Sequence, residues 1–417
     1  MSSRAPASSH SGQDLIDSPY AWRRLALSLL VSTIGSVGLW SSVVVLPEIE
    51  AEFGIGRGEA SLPYSLTMVA FAFGGVLMGK IADRRGITVP LQIGAVALCF
   101  GYVGAGLAGS LWQFILAQSL LIGFLGSSGS FGPMLADISH WFNKSRGIAV
   151  AVASNGSYMA GTVWPPVVQY FTDNVGWRET HMGIGVFCVV TLLPLSLLLK
   201  RRPPQYVAPK GASAAAESSE LQSPFSPRTL QWILIIAGLA CCIAMAMPQV
   251  HIVAYCIELG YQSQRGSEML SLMLATGIVS RLGFGWISDQ IGPLKTLLLG
   301  SSLQALTLLL FLPFDGLVSL YVVSALFGLA QGGIVPTYTL IVRKFFPASE
   351  AGSRVSIVIS ATIVGMALGG WMTGEIFDIM LSYEIAFLNG IAWNVLHVGI
   401  AALLLFKLGG PPRVRMA

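Results

Sequence analysis

One arginine stands alone within an apolar run of membrane-spanning length. Arg281 lies eight residues before Asp289, ~12 Å from the nearest helix end at 1.5 Å per residue. A charge at bilayer depth costs about 2.5–3.5 kcal/mol on insertion scales, and such residues face the interior of a helix bundle. Every Asp and Glu falls in a tail, a loop or the end of a span, so no buried acid is at hand as a permanent partner. A carboxylate ligand would supply the missing charge, because its two oxygens match the guanidinium fork. The alternative is an arginine that snorkels or bonds to backbone carbonyls. His251 and Tyr255, four residues apart, share one helical face. The imidazole titrates near neutral pH, which suits a proton relay or a carboxylate donor, or it is a satisfied helix-end histidine. Tyr64, Asn155, Tyr158, Gln331 and Tyr338 are further polar groups inside apolar runs. Each could orient a small anion or bond one helix to another.

Only apolar elements in lipid can place such residues. Of the 417 residues, 54% are hydrophobic and 11% charged, against roughly 25% charged in a soluble domain. A net charge of +4 is too small to draw nucleic acid. The composition excludes a soluble enzyme, a disordered chain and a DNA-binding module. Twelve runs of about 20 residues, each able to cross a ~30 Å core, are expected at 23–46, 61–82, 88–108, 111–135, 147–172, 181–199, 229–256, 266–288, 294–313, 316–341, 352–376 and 383–406. Backbone groups in lipid must be satisfied within a segment, and the runs are continuous rather than alternating, so helices are expected and not barrel strands.

With both termini cytoplasmic, only Arg57, Arg178 and Arg265 fall outside and Arg281 falls within a span; every other Lys and Arg is inside. That bias is the positive-inside pattern. Residues 1–22 read as a disordered cytoplasmic tail, 200–228 as a flexible cytoplasmic linker, and 407–417 as a short cytoplasmic tail. The linker divides the chain into six-span halves, 23–199 and 229–406. The halves echo each other. Gly79, Asp83, Arg84 and Gly86 follow the second span; Gly285, Asp289 and Gly292 follow the eighth at a constant offset. A second echo pairs Gly129 with Gly332, Pro133 with Pro336 and Phe142 with Phe345. The counterpart of Arg281 is Gly75, so the charge belongs to one half, as a substrate ligand would. Paired six-helix halves around a midplane site are a transporter plan. The two Gly-Asp segments read as an inner-gate charge latch or as positive-inside anchors.

The G-x-x-x-D-R-x-G segment of Gly79, Asp83, Arg84 and Gly86, with its weaker second copy, resembles the signature of the major facilitator superfamily. Within it the chain is similar to the monocarboxylate-porter and oxalate/formate-exchanger branch, through Trp141-Phe142-Asn143-Lys144-Ser145-Arg146-Gly147-Ile148-Ala149, Pro248 to Tyr255, and Arg281. The resemblance implies an all-α membrane protein of twelve transmembrane helices in two pseudo-symmetric halves, in the cell membrane. It also places Trp40 where related porters often carry a lysine, and so among the substrate ligands. Gly277 stands where proton-coupled porters commonly have an acid or amide, and Val355 to Gly374 holds no second basic residue of the oxalate type. Trp40 and Gly277 weigh against proton coupling, and the missing basic residue against a dianion.

The expectation is a secondary transporter of a small organic monocarboxylate, not an enzyme, working by alternating access. Arg281, His251, Tyr255, Asn155, Tyr158, Tyr338 and Trp40 are the expected substrate ligands. Gly79, Asp83, Arg84, Gly86, Gly285, Asp289 and Gly292 are the expected gate. Protons are a candidate second partner. An anion exchanger, an amphiphile efflux pump and a non-transporting receptor or scaffold remain alternatives. No cofactor, metal, ATP or nucleic-acid partner is expected. The Gly104 to Gly109 match to G-x-G-x-x-G has no strand before it, and the five cysteines lack metal-ligand spacing.

Overall fold

The computed structural model describes residues 15–202 and 224–408. Most of the expected linker and tails lies outside the described residues. The first helix, α1 (Pro19–Gly35), starts earlier than expected, because Ser18 caps it and Pro19 sits at its first position, where the missing N–H is no loss. The chain continues through a 3₁₀ turn (Ser36–Leu39) and a single turn (Ser41–Val44) into α2 (Leu46–Phe53). Then follow α3 (Arg57–Arg85), α4 (Thr88–Gly106), α5 (Leu111–Ser139), α6 (Arg146–Ser154), α7 (Gly156–Val175) and α8 (Trp177–Leu198). The second half holds α9 (Pro227–Glu258), α10 (Ser263–Ile291), α11 (Pro293–Leu310), α12 (Leu317–Phe345), α13 (Ala348–Met380) and α14 (Tyr383–Leu408).

Ten helices among the described residues are long and apolar enough to cross a membrane. The other two expected spans, 23–46 and 147–172, are each cut. The 3₁₀ turn at Ser36–Leu39 and the breaks at Trp40 and Val45 interrupt the first. Asn155 separates α6 from α7 in the second. α5 winds as a π-helix over Ala117–Ser127, a widening common at functional sites. Phe73, Phe100, Trp112, Trp286 and Phe406 are exposed, an apolar exterior that suits lipid rather than water.

The halves meet through α3 against α13 and α7 against α10. We call the end with Pro19, Arg85, Pro227 and Ile291 the near end, and the end with Phe53, Arg57, Glu258 and Met380 the far end. At the near end Arg24 makes a two-pronged bond to Asp137 (2.9 and 3.0 Å), donates to the Leu199 carbonyl and lies 4.5 Å over the Trp141 ring. The Asp17 carboxylate accepts from the backbone N–H groups of Asn143, Lys144 and Ser145. Desolvation is the largest single influence and opposes that charge; the three donors and Lys144 together outweigh it and hold the Asp17 carboxyl below its usual range. The Trp141 to Ala149 segment is thereby an organised corner of the first half.

Candidate substrate site

The α6–α7 break leaves carbonyls without helical partners. One of them, on Ser154, accepts a hydrogen bond from Arg281 of α10 at 3.0 Å, so the guanidinium crosses from one half to the other. One turn into α7, Tyr158 lays its ring 3.8 Å from the Arg281 guanidinium carbon, a cation–π contact. Its hydroxyl donates to Gln331 Oε1 of α12 at 3.3 Å, which turns the amide nitrogen of Gln331 away. Gly277, one turn before Arg281, makes this packing possible, since a Cβ there would stand 2.6 Å from the Tyr158 ring.

Three buried polar groups around Tyr158 lack protein partners. They are Arg281 Nε, Gln331 Nε2 and the Tyr64 hydroxyl, the last within electrostatic range of Tyr158 and Cys242. No carboxylate lies within ion-pair distance of Arg281 among the described residues. A buried donor without an acceptor costs about 1–3 kcal/mol, more when charged. A cluster of donors from both halves can therefore take an acceptor-rich, anionic group. Trp40 borders it: its indole donates to the Ser157 carbonyl at 2.9 Å, and its ring lies beside Gly161 and Leu274. Asn155 sits at the break, with its amide nitrogen on the Ala151 carbonyl and its oxygen unpartnered.

The remaining expected ligands lie elsewhere. The His251 ring bonds to the Gly370 carbonyl (2.7 Å) and the Tyr383 hydroxyl (3.3 Å). The carbonyl can only accept, so Nε2 carries the proton and Nδ1 accepts from Tyr383. Tyr255 packs against Tyr383 and Phe387. Both residues belong to the far end, because α9 runs on past them to Glu258. Tyr338 is inside the second half, hydrogen-bonded at 2.9 Å to His397, which also meets Ser301. The structure brings Trp40, Asn155 and Tyr158 to Arg281 and gives His251, Tyr255 and Tyr338 other partners. Neutral-pH titration made His251 a candidate, its helical face Tyr255, and polarity within an apolar run Tyr338; partners on α11, α13 and α14, distant in sequence, account for their placement. Tyr64 and Gln331 bring unpartnered polar atoms to the same cluster, and their polarity within apolar runs was the only sequence signal.

At the near end, Asp83, Arg84 and Asp289 are exposed and make no ion pair within 4 Å among the described residues. Gly79 and Gly285 face open space. At the far end the seam is closed: Ser65 donates to the Ala367 carbonyl, Ser271 to the Thr162 carbonyl, and Gln169 bonds with Ser263 and Ser267.

A helical bundle of two halves, with a donor-rich centre between them, defines a multi-pass membrane transport protein. The sequence model of the Major Facilitator Superfamily matches residues 27–370 and 259–415, and the chain belongs to that family. It is 26% identical to the MFS-type transporter opdF of Penicillium oxalicum, covering 87% of this chain and 86% of that protein. It is 24% identical to monocarboxylate transporter 13 of Rattus norvegicus, covering 93% and 90%. In fold it is similar to a bacterial homologue of the human lysosomal transporter Spinster, inward-facing and occupied, with a TM-score of 0.74 at 15% identity over 94% of this chain and 98% of that one.

Proposed function

We propose that the protein carries small organic monocarboxylates across the cell membrane by alternating access, with Arg281 as the anchor of the anion. The observation that carries this reading is the Arg281 guanidinium, shared between the halves, with no acid beside it and Nε unpartnered. The likeness to monocarboxylate transporter 13 supports the same substrate class. Trp40, Tyr64, Asn155, Tyr158 and Gln331 surround the anion's organic part and its second oxygen. The basic-residue bias supports a cytoplasmic near end with both termini on that side, and in that orientation the described state faces inward. Gly79, Asp83, Arg84, Gly86, Gly285, Asp289 and Gly292 form the inner gate and engage only when that end closes.

Anion exchange is favoured over proton symport as the mode. His251 is held by Gly370 and Tyr383 rather than by the site, and Tyr158 fills the space an acid at position 277 would need. Counterflow in proteoliposomes tests the assignment. Radiolabelled lactate or benzoate should exchange through wild-type protein, and Arg281→Ala should abolish the flux while inserting normally. Wild-type flux in that variant would overturn the assignment.

A further inference from the structure

Arg57 opens α3 at the outer end of the first half. Its N-cap, Gly56, offers no side chain to the first-turn N–H groups, which helices normally satisfy with a Ser, Thr, Asp or Asn of their own. The missing cap comes from the other half. Asp378 of α13 accepts from the Arg57 N–H at 2.9 Å and the Gly58 N–H at 2.8 Å. Its negative charge sits at the positive end of the α3 dipole.

The Arg57 side chain completes the connection. Nε donates to Glu50 of its own half (3.2 Å) and Nη2 to Glu258 of the other (3.1 Å). The guanidinium carbon lies 3.7 Å from the centre of the Phe377 ring and 5.2 Å from that of Tyr383. The side chain is only 10% exposed, so these contacts are screened far less than a surface pair. Gly374 lets the helices come this close, since a Cβ there would stand 2.6 Å from the Arg57 carbonyl oxygen. His251, through Tyr383, steadies one wall of the aromatic seat.

We propose that Asp378 and Arg57 are the latch of the outer gate: a helix cap supplied in trans, with an arginine clamp, that forms only while the outer ends of the halves touch. Separation of the halves strips α3 of its cap and Arg57 of Glu258 and both rings in one motion. The latch holds the inward-facing state, and Asp378 is a positioning residue that never touches substrate. It is independent of the identity of the substrate and rests only on the orientation proposed above.

Two cysteine reporters in the full-length protein test it. Ser65→Cys lies buried in the seam below the latch, and Ser154→Cys is half-buried toward the inner side. Right-side-out and inside-out vesicles are treated with a membrane-impermeant methanethiosulfonate, with the parent protein as background. Asp378→Ala and Arg57→Gln should each speed outside labelling of Ser65→Cys at least tenfold and slow inside labelling of Ser154→Cys. Asp378→Asn, whose amide oxygen still caps, should fall nearer wild type than Asp378→Ala. Unchanged labelling of Ser65→Cys would overturn the latch. Faster labelling of both reporters would mean that Asp378 holds the fold rather than the gate, and would overturn it equally. Acceleration seen only from the inside would instead reverse the orientation and remove the outer assignment.

Discussion

Arg281 and Tyr158 divide the work of holding a charge in an apolar bundle. The ring faces the guanidinium plane, the Ser154 carbonyl takes one N–H, and Nε is left for a ligand. Lysine keeps the charge of arginine but neither its fork nor its stacking surface. Arg281→Lys should therefore weaken carboxylate affinity at least tenfold. A desolvated cation–π contact is worth about 2 kcal/mol, or roughly 30-fold in affinity. Tyr158→Ala should approach that loss, and Tyr158→Phe, which keeps the ring, should lose much less. His251→Gln should leave affinity unchanged. Direct binding of a labelled carboxylate to the purified variants checks all four. Arg281 was legible in the sequence because one charge in an apolar run needs no partner to be noticed. The place of His251 was not, because helical spacing gives a face and not the neighbour that the face meets.

At the scale of elements, the spans were legible wherever twenty apolar residues run unbroken, as in α9 and α14. They were less so where a helix is cut for a purpose. Asn155 and Gly156 look like ordinary polar and small residues, yet the break they make frees the carbonyl that Arg281 takes. The trans cap on α3 was invisible, since Asp378 lies 321 positions from Arg57. The same holds for the Arg24–Asp137 pair, read as positive-inside charge and an ordinary helix end. That pair is nearly sealed from solvent. Breaking a buried pair from one side leaves a lone charge and costs about 3–5 kcal/mol, whereas replacing both partners with apolar residues is often neutral. Asp137→Ala should lower the melting temperature in detergent by several degrees. The double change Arg24→Met/Asp137→Leu should recover most of the loss. A double variant no more stable than Asp137→Ala would contradict this role.

For the whole molecule, the contacts between halves set the transport cycle. The far-end seam is bonded across α3–α13 and α7–α10, while Asp83, Arg84 and Asp289 at the near end stand exposed. The two-half plan was legible from the repeated Gly-Asp segments; the state it occupies was not, because both states use the same residues. With no acid at the Arg281 site, the proposed monoanion would neutralise the guanidinium. The empty site would take an uncompensated charge through the sealed intermediate, at several kcal/mol. Substrate on the opposite side should therefore accelerate efflux at least tenfold, and an imposed pH gradient should not drive accumulation. Uphill uptake driven by protons alone would establish symport instead.

The central claim is that this chain binds a small carboxylate through Arg281, and thermal unfolding of the purified protein tests it most directly. A ligand that binds only the folded state adds about 2.7 kcal/mol at 100 times its Kd. Titrating wild type and Arg281→Ala with lactate, pyruvate and benzoate should raise the wild-type melting temperature in a saturable way for at least one acid. The matching amide should have no effect, and neither should any acid on the variant. Equal shifts in wild type and Arg281→Ala, or a shift with the amide as large as with the acid, would contradict the account.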